Sequence, residues 1–430
     1  MKLIHVIAAT AVILSCASGT EAKTPEAYPD TFLIPSRAVV VSGDASRGSD
    51  LVAILYDKKD LHFNDPNTPR FLFLDREGKV AFGIGGYVKG TVFYDFNGEN
   101  TDGTSFTPFD IEVPNNPAHR QQLGGSANHS TIFLQLAGRS ERFGYYQAFI
   151  QTNFTGNGAG GYGLKLKQAY LNVGYVTAGL TRSTFVDGAA GTPTVDDQGP
   201  AGEMTGKNIL VRYRPTFGRH WSVAVGVEIP QVSGTFSNST EKISQRVPDI
   251  PFNVQYSWGK DSHVRVAGLI RNMTYRDILT AENKFKFGWA AQLSGAIGLG
   301  YGFTTYFQGA AGQGYGRYIN DLEGNGYDLI AGSKPGEMIA PRTMNFEVGL
   351  KFAPTDKLFF ATSYSQAHVY QQRTIGPDAY RYGQYISASA FYNIIEDLRV
   401  GVEYLHGTRN NYDNSRGTSN RIEGMIQYSF

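Results

Sequence analysis

Over 421–430 the side chains alternate: Ile422, Gly424, Ile426, Tyr428 and Phe430 share one parity, and Arg421, Glu423, Met425, Gln427 and Ser429 share the other. Successive residues of a strand point to opposite faces, so this rhythm predicts a β-strand with one apolar and one polar side. It recurs at 221–229, where Trp221, Val223, Val225, Val227 and Ile229 oppose Ser222, Ala224, Gly226 and Glu228, and again at 252–258, 344–352 and 398–404. A half-buried soluble sheet alternates too, and one such strand decides little. Here, however, the apolar face ends in aromatic residues and the other face carries the charges. That is the pattern of a wall with lipid outside and water inside.

Along the whole chain the alternation predicts strands near 80–96, 127–138, 142–154, 163–173, 175–184, 207–215, 219–230, 250–258, 262–276, 284–297, 301–311, 341–353, 357–370, 381–393, 397–408 and 419–430. Sixteen is an even number, and the lengths match or exceed the ~9–11 residues a tilted strand needs to cross a bilayer. Short connections, such as 139–141, 259–261 and 354–356, alternate with long ones, such as 97–126, 185–206, 277–283 and 312–340. A membrane barrel with both termini in the periplasm has that rhythm, and a soluble sandwich has no reason to keep it. Residues 80–430 therefore read as an all-β, 16-stranded antiparallel transmembrane β-barrel.

The first 79 residues break the pattern. Lys2, an apolar stretch over 3–14 and small residues up to Ala22 read as a signal peptide over 1–22. Lipoprotein processing at Cys16 is the alternative, although Leu14 is bulky for that motif. Both place the chain in the envelope, here the outer membrane of a Gram-negative bacterium. Residues 23–79, with Pro25, Pro29, Pro35, Pro66 and Pro69 and two short apolar runs at 38–41 and 51–56, read as an irregular periplasmic extension.

Composition adds exclusions. With 39 Lys+Arg against 38 Asp+Glu the chain is too balanced to attract nucleic acid. The single Cys rules out a disulfide framework or a Cys-based metal site. Beyond the N-terminus no run approaches the ~18 apolar residues of a transmembrane helix. The 51 Gly, 26 Tyr and 27 Phe suit tight turns, a lipid-facing surface and aromatic girdles.

Several stretches resemble a known family. Val80 to Asp95, with Gly85-Gly86-Tyr87-Val88-Lys89, is similar to the first strand of the DcaP-like trimeric porins. Over 139–214 come Arg142-Phe143, Asn153-Phe154, Leu164-Lys165-Leu166-Lys167-Gln168-Ala169-Tyr170, then Gly179 to Asp187, Gly199-Pro200-Ala201-Gly202 and Val211-Arg212-Tyr213, in the order and spacing of that family. The resemblance implies a homotrimer, a constriction loop after the fifth strand folded into the pore, and passive uptake of small anions such as dicarboxylates. Departures are Lys165 and Lys167 where the family tends to carry arginines, Gln151 and Asn153 in place of acids, Lys207 near a usual Arg, and Arg182 in place of an aromatic. Lysine keeps the charge but lacks the planar fork that grips a carboxylate at two points, which argues against strict dicarboxylate selectivity.

Parity alone puts Lys89, Lys165, Lys167, Arg212, Arg214, Arg265, Arg271, Lys351, Arg399 and Arg421 on the lumenal side, opposed by Glu228, Glu347, Glu403 and Glu423. A cationic wall in a water-filled channel favours anions. The plainer reading is that these groups solvate the wall and anchor turns. Asp187, Asp196, Asp197 and Glu203 lie among small residues and prolines at 185–206. If that loop folds inward, they face the cations across the constriction; if it stays outside, they are turn formers. Arg182 shares the outward parity of Leu180, which points to a strand end or a subunit interface.

Other motifs carry less. Gly156 to Gly161 satisfies GxGxxG, but a strand follows where a dinucleotide site needs a helix. The histidines lack metal-ligand spacing, and Asp196-Asp197 has no partner acid or His to form a catalytic pair. The chain thus reads as a non-enzymatic porin without cofactor or metal, with lipid and small hydrophilic or anionic solutes as partners. Alternatives are a sugar channel with Tyr87 and Phe93 as an aromatic track, and an outer-membrane hydrolase.

Overall fold

The computed structural model describes residues 38–42, 48–57, 61–66, 68–98, 105–158, 161–259, 261–370 and 376–430. The expected signal peptide, with Cys16 and Ala22, lies outside the described residues. Sixteen strands form the wall: β1 (Val80–Asn97), β2 (Thr131–Ser140), β3 (Gly144–Asn153), β4 (Lys165–Val173), β5 (Val176–Arg182), β6 (Lys207–Tyr213), β7 (Trp221–Glu228), β8 (Ile250–Trp258), β9 (Ser262–Asp277), β10 (Glu282–Gly300), β11 (Phe303–Gln313), β12 (Arg342–Phe352), β13 (Leu358–Val369), β14 (Tyr380–Ile395), β15 (Leu398–Asn411) and β16 (Arg416–Ser429). Each pairs antiparallel with the next, and β16 pairs with β1 from Ser429↔Tyr87 to Asn420↔Asn97, which closes the barrel. Closure removes the open sheet edges that lipid could not satisfy.

Burial follows the parity. Along β7 the residues Trp221, Val223, Val225 and Val227 are exposed on the outer face, whereas Ser222, Ala224, Gly226 and Glu228 are buried within. Aromatic side chains gather at the short-turn end, where Trp221 and Trp258 flank Tyr256 with ring centroids 4.9 and 5.7 Å away. The connection expected over 277–283 is shorter than its pattern implied. Strands β9 and β10 extend to Asp277 and from Glu282, and Asp277 accepts hydrogen bonds from Lys284 Nζ (2.7 Å) and the Leu279 N–H (3.0 Å) across the tight turn.

The interior is packed. The loop after β5 folds inward, as does the loop between β11 and β12. Phe185, Val186 and Met204 of the first and Tyr315, Tyr318, Ile319 and Leu322 of the second form an apolar core with Ala267, Leu269, Ala290, Ala310 and Ala367 of the wall. Alternate wall positions are small here, which leaves room for the loops.

The described residues of the region expected to be an irregular extension include a helix and two short strands. Strand Phe71–Leu74 pairs antiparallel with β1 at 81–84 and parallel with strand Val39–Ser42. It covers the edge of β1 below the point where the C-terminal Phe430 bonds Gly86 through both backbone groups. An uncovered β1 edge would expose unpaired N–H and C=O groups, which gives a physical reason for this strand. Helix α1 (Ser49–Leu55) packs its Leu51, Val52, Ile54 and Leu55 on Leu72, Leu74, Ala81 and Ala137. Gly83 is the close approach that permits this, because a Cβ there would collide with Pro69.

Candidate functional site

The inward loop, 183–206, is tied to the wall by buried carboxylates on both sides. Glu228 of β7 accepts hydrogen bonds from the Thr184 N–H (2.7 Å) and Asn208 Nδ2 (2.8 Å). Glu347 of β12 accepts from the Thr192 N–H (3.0 Å) and Gln308 Nε2 (2.7 Å). Glu403 of β15 accepts from the N–H groups of Val195 (2.9 Å) and Asp196 (2.8 Å) and from Ser389 Oγ (2.7 Å). Loop backbone with no partner strand needs acceptors from somewhere, and the wall supplies them. Gly202 lies so close to the backbone carbonyl of Phe346 that any side chain would displace it.

The four loop acids have distinct surroundings. Asp187 Oδ2 meets His263 Nε2 at 2.9 Å, Ser294 Oγ at 2.7 Å and Arg265 Nε at 3.7 Å. Burial alone would raise its pKa, but Arg265 and then His263 outweigh that and hold it near 2. Asp196 accepts from the N–H groups of Gln198 (3.1 Å), Gly199 (3.2 Å) and Phe106 (3.3 Å), and its burial raises the pKa. Asp197 Oδ2 lies 2.8 Å from Lys89 Nζ and 3.6 Å from His129 Nδ1. Glu203 Oε1 lies 3.3 Å from His62 Nε2, within ion-pair distance but off the line of a hydrogen bond.

The wall cations fall into two groups. Lys89, Arg265 and Arg271 are buried and act as anchors. Lys89 Nζ donates to the Val195 carbonyl (2.9 Å), and Arg265 donates to the Val186 carbonyl (3.0 Å) and Gln255 Oε1 (2.8 Å). Arg271, wholly inaccessible, donates to Asp249 (3.1 Å), Asp328 (3.0 Å) and the carbonyls of Gly314 (2.8 Å) and Gln231 (2.7 Å). Arg421 behaves similarly, bidentate on Asp95 at 2.7 and 2.9 Å and stacked on Phe93. By contrast, Lys165 is exposed and Lys167, Lys207, Arg212 and Arg214 are half-buried. Among the described residues no carboxylate comes within ion-pair distance of Lys165, Lys167 or Lys207. Lys165 faces Asn153 in the β3–β4 register, and the ladder slips at Lys167, adding one lysine at a bulge.

Arg182 is the last residue of β5, at the expected strand end, but its side chain turns inward. Both terminal nitrogens donate to Asp65 Oδ2 at 3.1 Å. Residues 61–66 thus lie within the barrel, a placement that sequence reasoning missed. The one available signal was Arg182 itself, a cation at an outward position in need of a carboxylate. Tyr87 and Phe93, candidates for an aromatic track, are buried: Tyr87 OH donates to the Asn64 carbonyl (3.2 Å) and Phe93 lies under Arg421. Among the described residues no group of three His, Cys, Asp or Glu could hold a metal ion.

Comparison with solved structures fits this architecture. The outer membrane channel DcaP of Acinetobacter baumannii superimposes with a TM-score of 0.70 at 17% identity, covering 82% of this chain and 98% of that one. OmpF of Salmonella typhi, in complex with daunomycin, gives 0.53 at 14% identity, covering 83% and 99%. An anion-selective porin from Comamonas acidovorans gives 0.52 at 11% identity, covering 82% and 100%. At these identities the likeness is one of fold. No curated protein matches the sequence. The family model for the DcaP outer membrane protein matches residues 66–430. With that match over most of its length and a closed sixteen-stranded wall, the chain belongs to the DcaP outer membrane protein family, channels of the Gram-negative outer membrane.

Proposed function

We propose that the protein is a porin for passive diffusion of small hydrophilic solutes, with a preference for anions such as dicarboxylates. The observation that carries this is the contrast within the wall: deep arginines are matched by carboxylates, while Lys165, Lys167 and Lys207 have none within ion-pair distance among the described residues. Unmatched cations in a narrow wet passage raise the local anion concentration and repel cations. Lysines are point charges without a bidentate fork, so a mild preference suits them better than a strict one. The expected working form is a homotrimer with residues 1–22 removed, the short turns and helix α1 on the periplasmic side, and no catalytic activity. Reversal potentials across planar bilayers in a KCl gradient test the preference. Anion selectivity that falls in a Lys165→Gln/Lys167→Gln variant supports it, and cation selectivity in the wild type sinks it. Liposome swelling with sugars against succinate separates it from a sugar channel.

A further inference from the structure

Residues 61–66 cross the lumen. Phe63 packs edge-on against Phe359 of β13 (5.9 Å) and Phe391 of β14 (5.2 Å), with the Arg399 guanidinium 5.0 Å above its ring. Two residues on, Asp65 meets Arg182 at the end of β5. In a ring of sixteen strands β5 and β13 are eight apart, on opposite sides. The segment is held between these contacts by Tyr87 OH on the Asn64 carbonyl, and His62 lies against Glu203 of the inward loop. It therefore spans the same cross-section as the inward loop, with anchors on both walls.

The Asp65 contact has the chemistry of a ligand site. A guanidinium donates two N–H groups to one carboxylate oxygen, and Lys207, which pairs with Arg182 in the β5–β6 register, stands close by. A small carboxylate passing along the wall would meet the same donors. We propose that residues 61–66 form a tethered plug whose Asp65 carboxylate occupies a carboxylate-binding site at Arg182 and Lys207, and that permeating dicarboxylates compete with it for that site. A short tether holds its end at an effective concentration in the mM range. A free dicarboxylate of matched affinity then displaces Asp65 only at about mM levels, so the plug sets a concentration threshold for uptake. This rests on the anion-porin reading above and names its binding site.

The test uses the full-length protein in planar bilayers: wild type, Asp65→Asn, Asp65→Glu and Phe63→Ala, with succinate as probe. Losing one charge-assisted pair shifts the docking equilibrium about tenfold. Asp65→Asn is expected to conduct more than wild type in KCl, with fewer closures, and to bind succinate at about tenfold lower concentration. Asp65→Glu should stay near wild type, and Phe63→Ala, which loosens the opposite anchor, should also conduct more. If Asp65→Asn does not fold, Phe63→Ala carries the conductance test alone. Anion selectivity in the wild type with unchanged conductance and succinate affinity in the variants overturns the plug and leaves the porin reading intact. Cation selectivity in the wild type removes the reading beneath both.

Discussion

At the scale of single residues, two groups in the lumen make opposite demands on pH. Burial alone would lower the pKa of His62, but Glu203, followed by Asp65, outweighs it and holds the value above the ordinary 6.5. Burial alone would raise Asp65, but Arg182 and then Lys207 pull it down to about 2. A raised histidine stabilises the docked segment fully below about 6.5 and loses that contribution as pH climbs through its raised value. A depressed carboxylate contributes above about 4 and loses its part as pH falls toward 2. Docking is therefore tightest between about pH 4 and 6.5. Wild-type conductance should rise as pH climbs above about 6.5, and His62→Gln should flatten the rise; a flat wild-type profile in bilayer recordings would remove His62 from this role. Arg271 presents a different case. Truncation to Leu leaves Asp249 and Asp328 buried beside an apolar side chain, and breaking such a network costs about 3–5 kcal/mol. The midpoint of urea unfolding, followed by heat-modifiable migration on gels, should fall accordingly.

At the scale of elements, the inward loop and helix α1 differ in what holds them. The loop is pinned by carboxylates from β7, β12 and β15, so its position is distributed over half the wall. Helix α1 has only seven residues and depends on the groove left by Ala81, Gly83 and Ala137. Such a short helix is unstable by itself in water and takes its stability from packing. Filling the groove with Gly83→Leu should push Pro69 and Leu55 away and release residues 48–79. Limited proteolysis of the folded variant should then cut that region faster than in wild type, with the barrel fragment intact. Equal rates would show that the groove does not hold the helix.

At the scale of the whole molecule, the barrel is turned inside out relative to a soluble protein, yet it has a second, ordinary core within. Outside, Val223, Val225, Val254 and Val266 are exposed because their solvent is lipid. Inside, loops bury Phe185, Tyr315 and Tyr318 away from both lipid and water. A charge placed on the two faces should therefore behave differently. Val254, in the middle of β8, faces outward, and Val254→Arg should cost about 2–4 kcal/mol when refolded into bilayers. A refolding free energy within error of wild type would mean that this face is not at mid-membrane depth.

The sixteen strands were legible because alternation is a local property: every residue of β7 or β16 reveals its face through its neighbours one position away. The tight turn at 278–281 escaped because Asp277, Glu282 and Asn283 continue the ladder with polar residues, which look like loop in sequence. Parity also placed Lys89, Arg265 and Arg271 inside, but it could not say what they would meet there. Their partners lie far along the chain, Lys89 with Asp197 and Arg271 with Asp328, so only closure of the barrel decides whether an inward cation lines water or anchors a loop. The same holds for residues 61–66, whose sequence has neither rhythm nor motif. By itself the sequence determined the wall and its two faces, since strand geometry links each residue's side to that of the next residue but one. Only the tertiary structure decided which charges are matched and what fills the lumen, because those outcomes rest on contacts between segments from tens to hundreds of residues apart.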